Sequence, residues 1–511
     1  MMLVGEMVKR NAKLLGNKVG LIDGKESFTY KEINERINRL SNALKYLGLK
    51  KGDRVSIIAN NCHEFIEVYF AIAKGGYVVV PINSRLSAEE ASYLMNNSGS
   101  LALIYHEEFK DVVSVMRTNI PAVKHIISIG DNSEISHSYE SLLFQSSPEE
   151  PDVNIRPDDL MMIMYTSGST GAPKGVMATH RNIMANTNTM VLELRIVPED
   201  VNLLVMPLYH SGGFWPTMTH FYRGAQIYLL PKFDVEKVLH MVHEKGATLL
   251  NLVPTMLKRI ISHPQLNEFN LKSLRLIMYA GAPITMELLK EAMQVLGQHR
   301  FYTSLGCTEA NGMVTSFPTT EHFLDGPLTE KLGSVGKDGI NVEVKIVDGD
   351  GKEVPSGKAG EIILKGDNVS PGYWGIAEET EETFRNGWLY TGDLGYRDSD
   401  GYIFIIDRKK DIIISGGENV SSKEVEGAIQ QHSAVNEAAV IGVADKEWGE
   451  AVMAVVSLKP QYKGKVTEEE IISFCKARLA GYKRPKSAVL VDEIPKNSAG
   501  KIAKAELKRI Y

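Results

Sequence analysis

Cysteine is scarce. The 511 residues hold three, Cys62, Cys307 and Cys475, far apart and odd in number. That usage fits neither a disulfide framework nor a cysteine-bound zinc, and reads as free thiols of a reducing compartment. Long apolar runs are missing: no stretch reaches the roughly 18 residues that a membrane span requires. Met1 to Lys18 is broken by Glu6, Lys9, Arg10 and Lys13, which leaves no signal-peptide core. A strong excess of one charge is missing as well. With 57 basic against 63 acidic residues the net charge is −6, no reason to expect nucleic acid or an anionic membrane as partner. The expectation is a cytoplasmic protein with no transmembrane segment.

What remains is ordinary globular composition, 43% hydrophobic and 23% charged, in a chain long enough for two or more domains. Thr29 and Glu32 have capping-box spacing, and Ile33, Ile37, Leu40, Leu44 and Leu47 then mark one buried helical face that stops at Gly48. Val55 to Ala59 reads as a strand, Phe65 to Ala73 as a helix and Val78 to Val80 as a strand. Such alternation, continuing to about Phe317, predicts α/β layers with much parallel pairing. From Val342 the texture shifts to short strands between Gly/Asp turns, with hairpins at Asp348–Gly351 and Asp398–Gly401. The last hundred residues read as α+β: helices at Lys423–Gln430 and Glu468–Leu479, strands at Ala438–Val443 and Val452–Leu458. Basic charge gathers at the end, where Lys476 to Tyr511 holds 10 basic and 3 acidic residues around a Gly-Lys motif. That placement favours a role beside anionic ligands over a merely solvated face.

The strongest local signal is Tyr165-Thr166-Ser167-Gly168-Ser169-Thr170-Gly171-Ala172-Pro173-Lys174-Gly175, after the apolar strand Leu160–Met164 and before a helix starting near His180. Glycines let backbone approach an anion, hydroxyls and N–H groups donate to it, and lysine adds charge. Polyphosphate binding suits this loop, although the Walker A spacing is absent.

With the segments that follow, this loop resembles the adenylate-forming superfamily: acyl- and aryl-CoA synthetases, luciferases and peptide-synthetase adenylation domains. The resemblance runs from Tyr165 to Lys501 and is greatest to fatty acyl-CoA ligases. It implies an α/β fold: a large N-terminal domain of β-sheets packed with helices plus a distorted β-barrel region, and a small mobile C-terminal α+β domain. Those domains would be 1–409 and 410–511, hinged near Lys410.

The resemblance also implies site residues. Thr166, Ser167, Gly168, Ser169, Thr170, Gly171 and Lys174 would take ATP phosphates. Pro207-Leu208-Tyr209-His210 would place His210 by the substrate carboxylate, and Gly281-Ala282-Pro283 would lie beside the adenine. In Leu305-Gly306-Cys307-Thr308-Glu309, Thr308 would contact the α-phosphate and Glu309 would hold Mg2+, while Leu305 replaces the usual tyrosine against the adenine. Tyr390-Thr391-Gly392-Asp393 supplies Asp393, and Asp407-Arg408-Lys409-Lys410-Asp411 supplies Arg408, both for the ribose. Gly416, Gly417 and Glu418 would line the CoA tunnel, and Lys501 would be the catalytic lysine; Lys504 and Lys508 read as solvated. His210, Phe214, Trp215, Val253 and Gly306 would form the acyl pocket.

The implied chemistry is acid plus ATP to acyl-AMP and pyrophosphate, then CoA to acyl-CoA and AMP. A medium- or long-chain fatty acid is the first-choice substrate because the pocket residues are apolar, and aryl acids of benzoate or cinnamate type stand second. An amino-acid adenylation domain is disfavoured because the segment at His210 lacks the Phe-Asp pair that would hold an α-amino group. A non-enzymatic nucleotide-binding protein is disfavoured by the joint presence of Lys501, Glu309 and His210. A homodimer is compatible with all of this.

Overall fold

The computed structural model describes residues 1–130, 137–166, 173–282, 284–446, 448–476, 478–496 and 501–511. They group into two compact units. The first comprises Met1–Thr166, Pro173–Val344 and Leu364–Leu389; the second comprises Lys345–Ile363 and Tyr390–Tyr511. The expected division at 409/410 concerns where the chain pivots, a different matter from where it is compact, and it stays a proposal.

Local rules set the elements. The helix Tyr30–Tyr46 starts where Thr29 accepts from the Glu32 N–H and the Glu32 carboxylate accepts from the Thr29 N–H. It buries Ile33, Ile37, Leu40 and Leu44 and stops before Gly48, whose φ of +90° continues the chain at little steric cost.

Fourteen strands of the first unit form two seven-stranded sheets. One contains β1 (Val19–Asp23), β2 (Glu26–Thr29), β10 (Val201–Leu204), β11 (Gln226–Leu229), β12 (Leu249–Leu252), β13 (Leu276–Tyr279) and β14 (Phe301–Tyr302), in the order β14-β13-β12-β10-β11-β1-β2. The other contains β3 (Arg54–Ile58), β4 (Val78–Pro81), β5 (Ser100–His106), β6 (His125–Ile129), β7 (His137–Ser138), β8 (Leu160–Thr166) and β9 (Lys174–Thr179), in the order β7-β6-β5-β3-β4-β8-β9. Pairing is parallel except at β2 and β9, antiparallel strands that end each sheet. Parallel strands are covered on both faces, which explains the unbroken Val, Ile and Leu runs. Helices supply the cover: Phe65, Ile66, Tyr69, Phe70 and Ile72 of the helix His63–Gly75 are all fully buried.

In the second unit the hairpins expected at Asp348–Gly351 and Asp398–Gly401 both form, with Gly351 N–H donating to the Asp348 carbonyl and Gly401 N–H to that of Asp398. The expected C-terminal strands run longer than read, as Val435–Asp445 and Gly449–Leu458, paired antiparallel. The helix Ser422–Gln430 matches its expectation, and the next is shorter, Glu468–Lys476.

Three histidines of the first unit, His180, His220 and His322, are at most 2% exposed. Burial pushes each down to about 4. Neither ring nitrogen of His180 has a hydrogen-bond partner among the described residues. A folded-state pKa below the unfolded value means stability that is complete above about pH 6.5 and declines as pH falls toward 4. His63 acts oppositely, its pKa raised because the Asp23 hydrogen bond and the Glu67 and Glu64 charges outweigh burial. The thermal stability of the first unit should therefore fall from pH 6.5 to pH 5, by about 1–2 kcal/mol for each of the three histidines. A flat midpoint across that window would contradict the burial of neutral imidazoles.

Candidate functional site

Loops that follow neighbouring parallel strands must emerge at one edge of the sheet. β10, β12, β13 and β14 are such neighbours, paired in parallel throughout. After them come His210, Val253, Gly281 with Ala282, and Leu305 to Glu309 respectively. The sheet thereby brings four separately predicted segments to its carboxyl edge. Gly281, at φ +84°, lies against Val253: a Cβ there would stand 3.5 Å from Val253 Cγ1. Pro283 lies outside the described residues.

His210 is the N-cap of the helix Ser211–Arg223. The strap before it is held from the other sheet's side. The Asn61 amide bonds the Leu208 N–H at 2.8 Å and the Met206 carbonyl at 3.0 Å, and the Tyr69 hydroxyl donates to the Leu208 carbonyl at 2.7 Å. Gly213 permits the tight entry, because a Cβ would sit 2.3 Å from the Pro207 carbonyl oxygen. Pro216 lies inside the helix and has no N–H for the carbonyl four residues back, that of Gly212. Asn251 of β12 replaces it, donating to Gly212 at 3.0 Å. Phe214 is fully buried and packs edge-on against Tyr69, ring centroids 4.9 Å apart, whereas Trp215 brings its indole N–H beside Gly312.

Leu305 is buried, its N–H held by Thr315 Oγ1 at 2.7 Å. Gly306–Cys307 pairs with Gly312–Met313 as a short hairpin whose turn carries Thr308 and Glu309, both half-buried. Gly312 has no room for a side chain, since a Cβ would meet the Asn186 amide at 2.3 Å. Residues 368–373 clamp the turn: Asn368 bonds the Ala310 carbonyl, Ser370 N–H the Glu309 carbonyl, and the Tyr373 hydroxyl donates to Glu309 Oε1 at 3.2 Å.

Thr166 and Lys174 face each other as the last cross-strand pair of β8 and β9. Ser167, Gly168, Ser169, Thr170 and Gly171 lie outside the described residues. β9 itself was not expected, since the sequence reads as running from the loop to the helix at His180. The Lys174 ammonium pairs with the Glu379 carboxylate and lies 5.3 Å from the centre of the Tyr373 ring. Neither Tyr373 nor Glu379 was foreseen. Tyr373 stands 64 residues from Glu309, so no local spacing signals it.

In the second unit Asp393 and Arg408 are cross-strand partners joined by an ion pair at 2.7 Å. Asp393 is buried. Lys410 lies in the single turn Lys409–Asp411, and its carbonyl accepts from Lys508 at 3.5 Å. Gly416 and Gly417 have φ of +61° and +83° and join Ile413–Ser415 to Glu418–Val420 as a two-residue hairpin turn. A Cβ on Gly416 would strike the Trp448 ring at 2.6 Å, while one on Gly417 would meet nothing. Lys501 is exposed, immediately before Ile502, which forms an antiparallel bridge with Lys496. Lys504 corrects an expectation. Far from being solvated, it bonds Ser422 Oγ at 2.6 Å and Glu426 at 2.7 Å. Ser422 in turn donates to the buried Asp407, whose pKa is lowered because the bond from Ser422, the charge of Lys504 and bonds from the Arg408 and Lys423 N–H groups outweigh burial.

Two family models cover the chain: AMP-binding enzyme over residues 8–374, and AMP-binding enzyme C-terminal domain over 424–501. The chain belongs to the AMP-binding enzyme family. It is similar to a feruloyl-CoA synthase of Amycolatopsis sp, 34% identical over 99% of both chains. It is also similar to a 2-succinylbenzoate–CoA ligase of Bacillus cereus, 33% identical over 95% of this chain and 94% of that one. Among solved structures, a Mycobacterium tuberculosis fatty acyl CoA synthetase matches all of this chain and 98% of its own, with a TM-score of 0.80 and 32% identity.

As an AMP-forming acid–thiol ligase, an ATP-dependent enzyme that uses CoA, the protein must hold an acid, a nucleotide and a thiol. No described helix is long and apolar enough to cross a membrane. The Asn251–Gly212 bond gives a direct check on how this ligase places His210. Asn251→Ala should lower the stability of the first unit by about 1–2 kcal/mol, the value of one buried hydrogen bond to a carbonyl left unpaired. It should also raise KM for the acid more than KM for ATP. Equal effects on both would show that this helix does not set the acid's position.

Proposed function

We propose that the enzyme is an acyl-CoA synthetase whose acid is a medium- or long-chain fatty acid. The observation that carries the reading is the arrival of His210, Gly281, Thr308 and Glu309 at the carboxyl edge of adjacent parallel strands. A carboxylate is a poor acyl donor, so activation comes first. The carboxylate oxygen attacks the α-phosphorus of ATP, and pyrophosphate leaves. The CoA thiol then attacks the acyl carbon, and AMP leaves with the bridging oxygen.

Each residue has a chemical task in this scheme. Lys174 with residues 166–171 binds the polyphosphate, and Gly281, Ala282, Pro283, Leu305 and Gly306 surround the adenine. Asp393 accepts from the ribose hydroxyls, with Arg408 beside it. Thr308 donates to the α-phosphate, and His210 lies by the carboxylate. Glu309 offers a hard oxygen held in place by Tyr373, a donor that suits Mg2+, which when bound neutralises phosphate charge. The Lys501 ammonium balances charge that builds on carboxylate and α-phosphate during in-line displacement. For the second step the Gly416-Gly417-Glu418 turn takes the pantetheine arm, with Lys410 as the pivot between steps.

Support for an apolar acid comes from the lining residues. No Lys or Arg lies between His210 and Tyr222, and Val253 and Trp215 add apolar surface. With Phe214 packed on Tyr69, Trp215 is the aromatic this reading assigns to distinguishing acids. An aryl acid is the second reading, favoured by similarity over 99% of the chain to a feruloyl-CoA synthase.

Two experiments check this. Lys501→Ala should lose acid-dependent ATP–pyrophosphate exchange by about 10²–10³ while still making thioester from supplied acyl-AMP; equal loss in both would refute its assignment to the first step. In a panel of acids, kcat/KM should rise about fourfold per methylene over at least four carbons, as expected for about 0.8 kcal/mol per buried CH2. Dicarboxylic acids should be poor, because a second charge would be buried without a partner. A flat series with ferulate or benzoate preferred would move the enzyme to the aryl reading.

A further inference from the structure

The lysine that opens β9 is already occupied. Lys174 and Glu379 form an ion pair with only 13% and 27% of their side chains exposed. Glu379 Oε2, the oxygen that faces the ammonium, is buried and has no hydrogen-bond partner among the described residues. A half-desolvated carboxylate oxygen in that position depends on the cation for its stabilisation.

The backbone carrying Glu379 is fixed to β9. Trp374 N–H donates to the Gly175 carbonyl at 2.7 Å, Met177 N–H donates to the Gly372 carbonyl at 3.1 Å, and the Ser370 hydroxyl donates to the Met177 carbonyl at 2.7 Å. Thr380, the next residue after Glu379, accepts from Tyr373 N–H at 3.0 Å and donates to the Ile376 carbonyl at 2.7 Å. Gly372 makes this contact possible at φ +142°, because a Cβ there would stand 2.3 Å from the Thr380 methyl. Glu379 is thus delivered to Lys174 by the fold and does not reach it by chance of a free surface side chain.

We propose that Glu379 is a built-in competitor for the polyphosphate: it holds Lys174 in the free enzyme, yields it to the β- and γ-phosphate oxygens of ATP, and reclaims it as pyrophosphate leaves. This rests on the reading of Lys174 as a polyphosphate-binding lysine. A phosphate oxygen and the carboxylate offer the ammonium the same kind of charge-assisted bond, so binding becomes an exchange of anions. Linkage requires the competition to weaken ATP and pyrophosphate binding alike, so the carboxylate that limits affinity for the substrate also favours release of the first product. AMP lacks the β- and γ-phosphates and is outside the competition.

Calorimetric titration of the full-length enzyme with magnesium pyrophosphate, and separately with AMP, tests this. Glu379→Gln keeps the shape and removes the charge. It should bind pyrophosphate about fivefold more tightly, the upper end of what is expected for an ion pair that keeps some solvent contact, with AMP affinity unchanged. Glu379→Asp, which keeps the charge, should stay within about twofold of the parent. Lys174→Ala should bind pyrophosphate more weakly than the parent. Unchanged or weaker pyrophosphate binding by Glu379→Gln, alongside a loss in Lys174→Ala, would overturn the competition and leave Lys174 as the phosphate ligand. Unchanged binding by Lys174→Ala would instead overturn the polyphosphate reading, and the competition with it. Melting temperatures of the three variants identify any change that comes from unfolding.

Discussion

Antiparallel attachment of residues 370–374 to β9 is the constraint on which the first unit's candidate site depends. β9 is the end strand of its sheet, so one side of it is open to a further chain segment. That side is taken by the bridge between Val176 and Tyr373 and the flanking bonds of Gly372 and Trp374. Residues 368–373 also reach the hairpin turn that follows β14, at Ala310 and Glu309, through Asn368, Ser370 and Tyr373. The strand β9 and the hairpin turn that follows β14 are thereby held by one strap. Lys174 and the Glu309 carboxylate are brought to the ring and the hydroxyl of Tyr373 without any local sequence relation between them.

The segment that carries His210 is organised by a different device. A helix that begins at His210 and carries Pro216 lacks one of its own backbone bonds, and Asn251 supplies the missing donor from the neighbouring strand. The helix start is therefore tied to β12, whose following residue, Val253, lies against Gly281. Position of the histidine, the aromatic beside it and the Gly281 turn is in this way a property of strand neighbours. This is why an α/β sheet suits chemistry that needs several groups at one edge.

Much of this was legible in the sequence, for identifiable reasons. The helix Tyr30–Tyr46 carries its start, stop and buried face as local spacing, and all three appear. The ordered motifs identified the family, because glycine turns and charged residues keep their chemistry when read one at a time. What stayed hidden depends on contacts distant in sequence. β9 was missed because Gly175 to Thr179 is short and is stabilised by partners on both sides. Lys504 looked like a surface lysine of a terminal helix, yet Ser422, 82 residues away, accepts its hydrogen bond. Phe214 looked like a pocket residue beside His210, but the turn of the helix sends it against Tyr69. Glu379 sits in a run of acidic residues, Glu378 to Glu382, where nothing local separates the one that meets Lys174 from its solvated neighbours.

The central claim is that the acid's own carboxylate attacks the α-phosphorus of ATP. Turnover of an acid labelled with 18O in both carboxylate oxygens, in the presence of CoA, tests it directly by mass spectrometry of the products. The account predicts one 18O atom in the phosphate of AMP and none in pyrophosphate. Label in orthophosphate, with ADP as the nucleotide product, would contradict it.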